Sequence, residues 1–458
     1  MTASLRQSAG RILPLAWPVL VGQLAVLAFG TVDTVLVARA SALDLAALAI
    51  GGAAYITVFI GLMGVVLAIG PIAGQLFGAR QLHEAGRQLH QAGWLAIGLS
   101  VIGCSALLFP QPILALSRAS PEVAIEVRGY LAALAVALPP ALLFTAFRGF
   151  NTSVSRPKVV MAVQLIGLAL KVPLTVLLVF GWRAGQVPAL GATGCGIATA
   201  IVMWAQLAVA VWILRHDRFY APFGLQAGGI GRPHRQSLTA FIKLGVPMGL
   251  SVLIEVTGFT FMAFFIARMG TTPVAGHQVA VNLVTMLFMV PLSIGNAAST
   301  LVAQRIGAAD LPDARRLGWH GLQIALMIAA LLGTAVYGAR REVLGLYTGD
   351  AAIVAAAMPL LAWVAVFHIA DAGQTVTSFV LRAHRITTVP VLIYAFAIWG
   401  VGLGGGIVLG FDALGISPPE LHGARGFWAA STTGLTIAAL GLIGFLQWVL
   451  RQRQRGVL

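Results

Sequence analysis

Three of the chain's 14 acidic residues, Asp33, Glu255 and Asp371, fall inside apolar runs long enough to cross a bilayer. A charge at the centre of such a run costs about 2.5–3.5 kcal/mol on insertion scales, so intramembrane acids face a protein or water-filled interior and mark an ion or substrate path. The chemistry open to them is the holding of a cation. Helical spacing supplies their neighbours. Phe367, Asp371, Gln374, Thr375 and Ser378 lie at −4, 0, +3, +4 and +7, one polar face with an aromatic beside the acid. Glu255 shares a face with Phe259 and Met262. Two acids on inward faces of the second half suit a shared cation or proton site, or a Na⁺ site with Glu255 and Asp371 as hard oxygen ligands, with His277, Gln278 and Asn282 as polar lining.

The first half has one intramembrane acid, Asp33, and one base, Lys171, which shares a face with Gln164 and Thr175. A lone ammonium in hydrocarbon loses its proton or snorkels to the interface. Lys171 therefore pairs with Asp33 or reaches the cytoplasmic surface, and the sequence leaves both open. Phe259, Met262, Met286, Phe288 and Phe367 add adaptable thioethers and ring faces, which with the acids suit a lipophilic organic cation; Asp33 and Gln278 complete the candidate substrate set.

The elements that carry these residues are helices. The chain has 458 residues, 59% hydrophobic and only 9% charged, a balance no soluble class shares. Apolar runs of about twenty residues recur along its whole length, too long for barrel strands, so an all-α polytopic membrane protein is expected. Twelve spans are read near 12–37, 46–76, 91–114, 124–147, 158–181, 189–214, 239–267, 276–304, 315–338, 352–380, 388–410 and 425–450. With both termini on one side, that side receives 20 of the 29 Lys and Arg, so both termini are expected in the cytoplasm. The net charge of +15 is thereby topology rather than a nucleic-acid footprint, and the Arg451, Arg453 and Arg455 tail lies near anionic headgroups. Cys104 and Cys195 have no metal-ligand spacing and read as packing residues, and no cofactor is expected.

A shift of 229 residues lays Pro18 on Pro247, Ala38-Arg39 on Ala267-Arg268, Gln75 on Gln304, Gly78 on Gly307 and Arg87 on Arg316. The chain is thus an internal repeat of six spans each, whose lobes are expected about a pseudo-two-fold axis along the membrane normal. The polar stretch 215–236 separates an N-terminal lobe, 1–214, from a C-terminal lobe, 237–458. None of the three acids is reproduced by the repeat: 229 residues before Glu255 stands Val26, and 229 after Asp33 stands Met262. Gly400, Gly402 and Gly405 lie inside a span and read as close helix packing, and the Asn151-Thr152-Ser153 sequon falls on the cytoplasmic side.

Pro18 with Phe29-Gly30-Thr31-Val32-Asp33-Thr34, Pro71-Ile72-Ala73-Gly74-Gln75-Leu76-Phe77-Gly78-Ala79, Ala275-Gly276-His277-Gln278-Val279 and Ile369-Ala370-Asp371-Ala372 together resemble the multidrug and toxic compound extrusion family, in its bacterial NorM-type branch. The resemblance implies a monomeric secondary antiporter of the bacterial inner membrane that exports cationic lipophilic drugs and dyes by alternating access, in exchange for H⁺ or Na⁺. It also implies that Glu255 and Asp371 match the cation site of the family's C-terminal lobe and Asp33 the first-span acid of coupling and substrate binding. Two positions depart from the branch: Phe367 stands where Tyr is common, and Lys171 where relatives tend to carry Asn or Asp. A lipid-linked oligosaccharide flippase of related architecture is the alternative, but it calls for a basic cleft, whereas the intramembrane count is three acids to one base. An intramembrane enzyme is disfavoured, since the spans lack HExxH and GxSxG.

Overall fold

The computed structural model describes residues 4–117, 120–182, 188–226, 229, 231–415 and 417–454; Arg455 and three positions of the polar stretch lie outside them. With no water in hydrocarbon to serve the backbone, the apolar runs close their hydrogen bonds within helices. Among the described residues, twelve helices are long and apolar enough to cross a membrane: α1 (Leu5–Ala40), α2 (Ala42–Gly78), α3 (Leu82–Leu108), α4 (Pro121–Ser153), α5 (Pro157–Phe180), α6 (Gly191–His216), α7 (Arg235–Ala267), α8 (Thr271–Gly307), α9 (Leu311–Gly338), α10 (Leu360–Ala383), α11 (Thr388–Phe411) and α12 (Ala424–Arg453). No strand occurs among the described residues. Most helices run past the apolar bounds read from the sequence, because the helix continues into polar ends where hydropathy falls. Two spans differ: the third ends at Leu108, residues from 111 forming a separate short helix, Gln111–Ser117, and in the tenth, residues from 352 form a short helix, Ala351–Ala357, with α10 beginning after Pro359.

The repeat is visible in the backbone. Arg80, Ser155, Ala309 and Arg385 follow α2, α4, α8 and α10, and each adopts φ of 60° or 61°. Left-handed backbone costs a non-glycine residue roughly 1–2 kcal/mol, so its return at matching places in both halves reflects one turn geometry used four times.

Packing divides the described chain into two compact units, residues 21–249 and residues 4–20 with 250–454. In the first, α4 packs against α2, α3 and α6; in the second, α10 packs against α8, α9 and α12. These fourth helices of each repeat are the central ones, 72% and 78% buried, against 22–44% for the other ten. The start of α1 belongs to the second unit, where Arg11 pairs with Asp313 at 3.0 Å and Ser8 bonds His320 at 2.7 Å. The start of α7 belongs to the first, where a Cβ on Gly64 would stand 2.3 Å from Gly249 Cα. The described part of the stretch 215–236 folds onto the first unit too. Asp217 caps a short 3-10 helix, Arg218–Phe223, and Arg156 pairs with Asp217 at 2.5 Å while lying over the Phe219 ring. Tyr220 donates to Asn151, which is fully buried, consistent with discounting the sequon.

Between helical ends at 388–394 and 405–411, α11 widens into a π-helix over Ala395–Gly404. Gly434 of α12 makes room for it: a Cβ there would meet the Ala397 carbonyl at 2.3 Å. Gly402 and Gly405 likewise face α12, at Ser431 and Ala430, whereas Gly400 meets only Phe396.

Candidate functional site

Asp371 sits on the most buried helix, and its whole polar face is buried with it: Asp371, Gln374, Thr375 and Ser378 are each at most 4% exposed. Polar groups placed there must satisfy one another. The Gln374 amide nitrogen lies 2.9 Å from Asp371 Oδ1 and 3.4 Å from Glu255 Oε1, so one NH₂ bridges the acids of α10 and α7. Thr375 donates to Asp371 at 3.4 Å, and the Tyr394 hydroxyl of α11 donates to the Gln374 oxygen.

Glu255 is the half-buried member of the pair, and it opens on a cleft inside this unit. Phe259, Met262 and Phe367 line it, joined by Ile398, Gly402 and Leu403 of the π-helix and by Ser431 and Leu435 of α12. Phe259 and Phe367 meet edge to face with centroids 5.6 Å apart, and Trp428 packs on Phe367 at 5.8 Å. Trp428 in turn donates to Nδ1 of buried His277 at 3.2 Å. A carboxylate beside two aromatic rings and a thioether can hold a lipophilic cation by charge, ring and dispersion together.

The first unit holds a different arrangement. Lys171 Nζ is wholly buried and 2.8 Å from Asp33 Oδ1. It also donates to Thr199 Oγ1 at 2.6 Å and to the Cys195 carbonyl at 3.3 Å. The ammonium does not reach the cytoplasmic surface; of the two placements open to it, the structure has the pair with Asp33. Gln164 and Thr175 are buried on the same face.

The structure thus brings together Glu255, Asp371, Phe259, Met262 and Phe367 in one unit, and Asp33 and Lys171 in the other. Gln278, Asn282 and Met286 are exposed and Phe288 is half-buried, and these four are not among the residues lining the cleft. The sequence reading missed Tyr394, Trp428, Ser431 and Thr199. An isolated tyrosine inside an apolar span was the available signal for the first.

The MatE family profile matches twice, over residues 18–177 and 247–408. The matches begin 229 residues apart, the same shift that superposes the halves. The chain belongs to the MatE family, the multidrug and toxic compound extrusion transporters. It is 40% identical to the "Probable multidrug resistance protein NorM" of Aromatoleum aromaticum over 98% of this chain and 96% of that one. It is 33% identical to the "Multidrug resistance protein NorM" of Vibrio cholerae over 98% and 97%. Both place this MatE chain on the NorM-type branch. Among solved structures, the eukaryotic MATE transporter AtDTX14 superposes with a TM-score of 0.86 at 20% identity, covering 99% and 100% of the two chains. The Vibrio cholerae MATE transporter VcmN in its bent form gives 0.85 at 20% identity, covering 98% of each. These two share the fold of the MatE protein described here.

Proposed function

We propose that this MatE protein is a multidrug efflux antiporter that expels small lipophilic cations in exchange for H⁺ or Na⁺, as a monomer in the bacterial inner membrane with both termini in the cytoplasm. The relatives' names point to drug efflux, and the cleft of the second unit carries the reading furthest: Glu255, backed by Asp371, faces a wall of Phe259, Met262 and Phe367. A cationic dye seats its charge at the acid and its rings on the aromatics. Arrival of the coupling ion at the carboxylates cancels the charge that holds the dye, and the dye leaves; departure of the ion inward restores the acids for the next cation. Exchange of one cation for the other follows from this mutual exclusion.

Asp33 fits the same logic with a resident competitor. Its carboxylate is held by Lys171, so a proton or cation reaching Asp33 has to displace an ammonium. That arrangement disfavours a Na⁺ site in this unit and favours proton control of the pair. The flippase reading is not favoured: the relatives' names point to drug efflux, and Lys171, paired with Asp33, offers no spare positive charge to a pyrophosphate.

Ethidium efflux from proteoliposomes under an imposed pH gradient or an imposed Na⁺ gradient tests the proposal, with Glu255→Gln, Asp371→Asn and Asp33→Asn beside the wild type. Loss of pH-driven efflux in Asp33→Asn places coupling at the Asp33–Lys171 pair. Na⁺-dependent efflux lost in the other two places it at Glu255 and Asp371. Full activity in all three variants refutes the assignment of these acids.

A further inference from the structure

Between the two carboxylates of the second unit lies a side chain with a choice of faces. Gln374 is 1% exposed, and its amide is held from both ends. The nitrogen faces Asp371 at 2.9 Å, Thr375 Oγ1 at 3.0 Å and Glu255 at 3.4 Å, while the oxygen faces away and accepts from Tyr394. Ionised carboxylates accept and never donate, so they favour the NH₂ end. Tyr394, itself 3% exposed, fixes the same choice from the other side by donating to the oxygen. The two preferences agree, and the acids rest on an N–H donor.

A cation reverses what the site needs. An ammonium head or an alkali ion between Glu255 and Asp371 is repelled by the amide hydrogens and served by oxygen. Turning Gln374 over presents its oxygen to the cation and points its NH₂ at the Tyr394 hydroxyl, which then has to accept instead of donate. Tyr394 is the last residue before the π-helix Ala395–Gly404, whose Ile398, Gly402 and Leu403 wall the cleft, so the reversal falls at the hinge of that wall.

We infer that Gln374 and Tyr394 are positioning residues that hold the acid pair in its cation-free arrangement, and that the Tyr394 hydroxyl weakens cation binding by opposing the turn of the amide. The inference rests on the proposed cation site at Glu255 and Asp371. Its sign is diagnostic: removing a hydroxyl from the interior ordinarily loosens a site, whereas here it tightens one. A neutral hydrogen bond corresponds to about a fivefold change in affinity.

The test is equilibrium binding of ethidium, read by fluorescence, to the purified full-length protein in detergent at one fixed pH and without Na⁺. Tyr394→Phe is expected to lower the Kd about fivefold and, in proteoliposomes, to lower KM and kcat together because the dye is released more slowly. An unchanged or raised Kd overturns the inference. Glu255→Gln and Asp371→Asn separate the two failures. If both bind ethidium as the wild type does, the cation site itself falls and the inference with it. If they bind weakly while Tyr394→Phe leaves the Kd unchanged, the cation site stands and only the role of Tyr394 falls. Should Tyr394→Phe fail to fold, Tyr394→Met replaces it, removing the same hydroxyl without adding a charge to the site. Tighter ethidium again supports the inference, and equal or weaker binding overturns it.

Discussion

Removing one member of the Asp33–Lys171 pair should harm the protein far more than removing both. The ammonium is wholly buried among three oxygens, of which only Asp33 is charged. Stranding one partner of a buried ion pair costs about 3–5 kcal/mol. Asp33→Asn leaves Lys171 its two neutral acceptors, which places the expected loss near the lower bound, about 3 kcal/mol. The Asp33 side chain is 13% exposed and gains some hydration when alone, so Lys171→Met should cost about 2 kcal/mol. The double variant exchanges the pair for neutral groups and should cost about 1 kcal/mol or less, against about 5 for the sum of the singles, a coupling near 4 kcal/mol. Unfolding by sodium dodecyl sulfate in mixed micelles, followed by tryptophan fluorescence, measures all four corners. Additivity within about 0.5 kcal/mol would refute the reasoning, because contacting charges cannot be independent.

Three other perturbations have definite outcomes. Phe367→Leu or Phe259→Leu should raise the KM for ethidium roughly 2- to 30-fold, the range of 0.5–2 kcal/mol for a cation over a ring, while Phe367→Tyr keeps the ring and stays near wild type; equal effects of Leu and Tyr would argue against a ring contact. Gly249→Ala should lower thermal stability by about 1–3 kcal/mol, since its Cβ would stand 2.6 Å from the Gly61 carbonyl, while Gly52→Ala, with nothing within 4 Å, should be neutral or stabilising. The Phe219 backbone N–H and the Arg156 guanidinium hold the Asp217 carboxyl below the ordinary carboxylate range, so its contribution is present above a pH of about 4 and lost as pH falls through the lower folded value. Hydrogen exchange over Arg218–Phe223 should therefore show level protection from neutral pH down to about 5 and a decline only below about 4.

What the sequence made legible was whatever hydrocarbon penalises. Twelve spans are readable because each apolar run carries its own insertion signal. Glu255, Asp371, Asp33 and Lys171 stand out because charge there is expensive, and the spacing of Asp371, Gln374 and Thr375 foretells a shared face. What depends on a neighbouring helix was not legible. Tyr394 and Trp428 meet α10 from α11 and α12, and no period within one helix reports that. The π-helix arises where glycines let two backbones close in, a pattern the sequence shares with ordinary helix packing. Met286 illustrates the converse: Met and Phe at helical spacing mark lipid-facing positions as readily as a cleft, and Met286 proved exposed.

The two units answer the cost of a buried acid in opposite ways. In the first, Asp33 is neutralised by a fixed ammonium, so the resting site is electrically complete and an incoming cation gains only the difference between itself and Lys171. In the second, Glu255 and Asp371 are served by an amide and a hydroxyl, dipoles that ease two negative charges, and the Arg382 guanidinium acts on Glu255 through space, so one base faces two acids. Coulomb attraction for a mobile cation is therefore larger at the second site, and lower dielectric magnifies the difference. A transporter needs both behaviours: one site that draws a cation out of solution, and one whose occupancy depends on displacing a charge the protein itself supplies. The repeat provides the same helix frame twice, and in the proposed exchange the acids it does not reproduce are where the two halves take up these separate tasks.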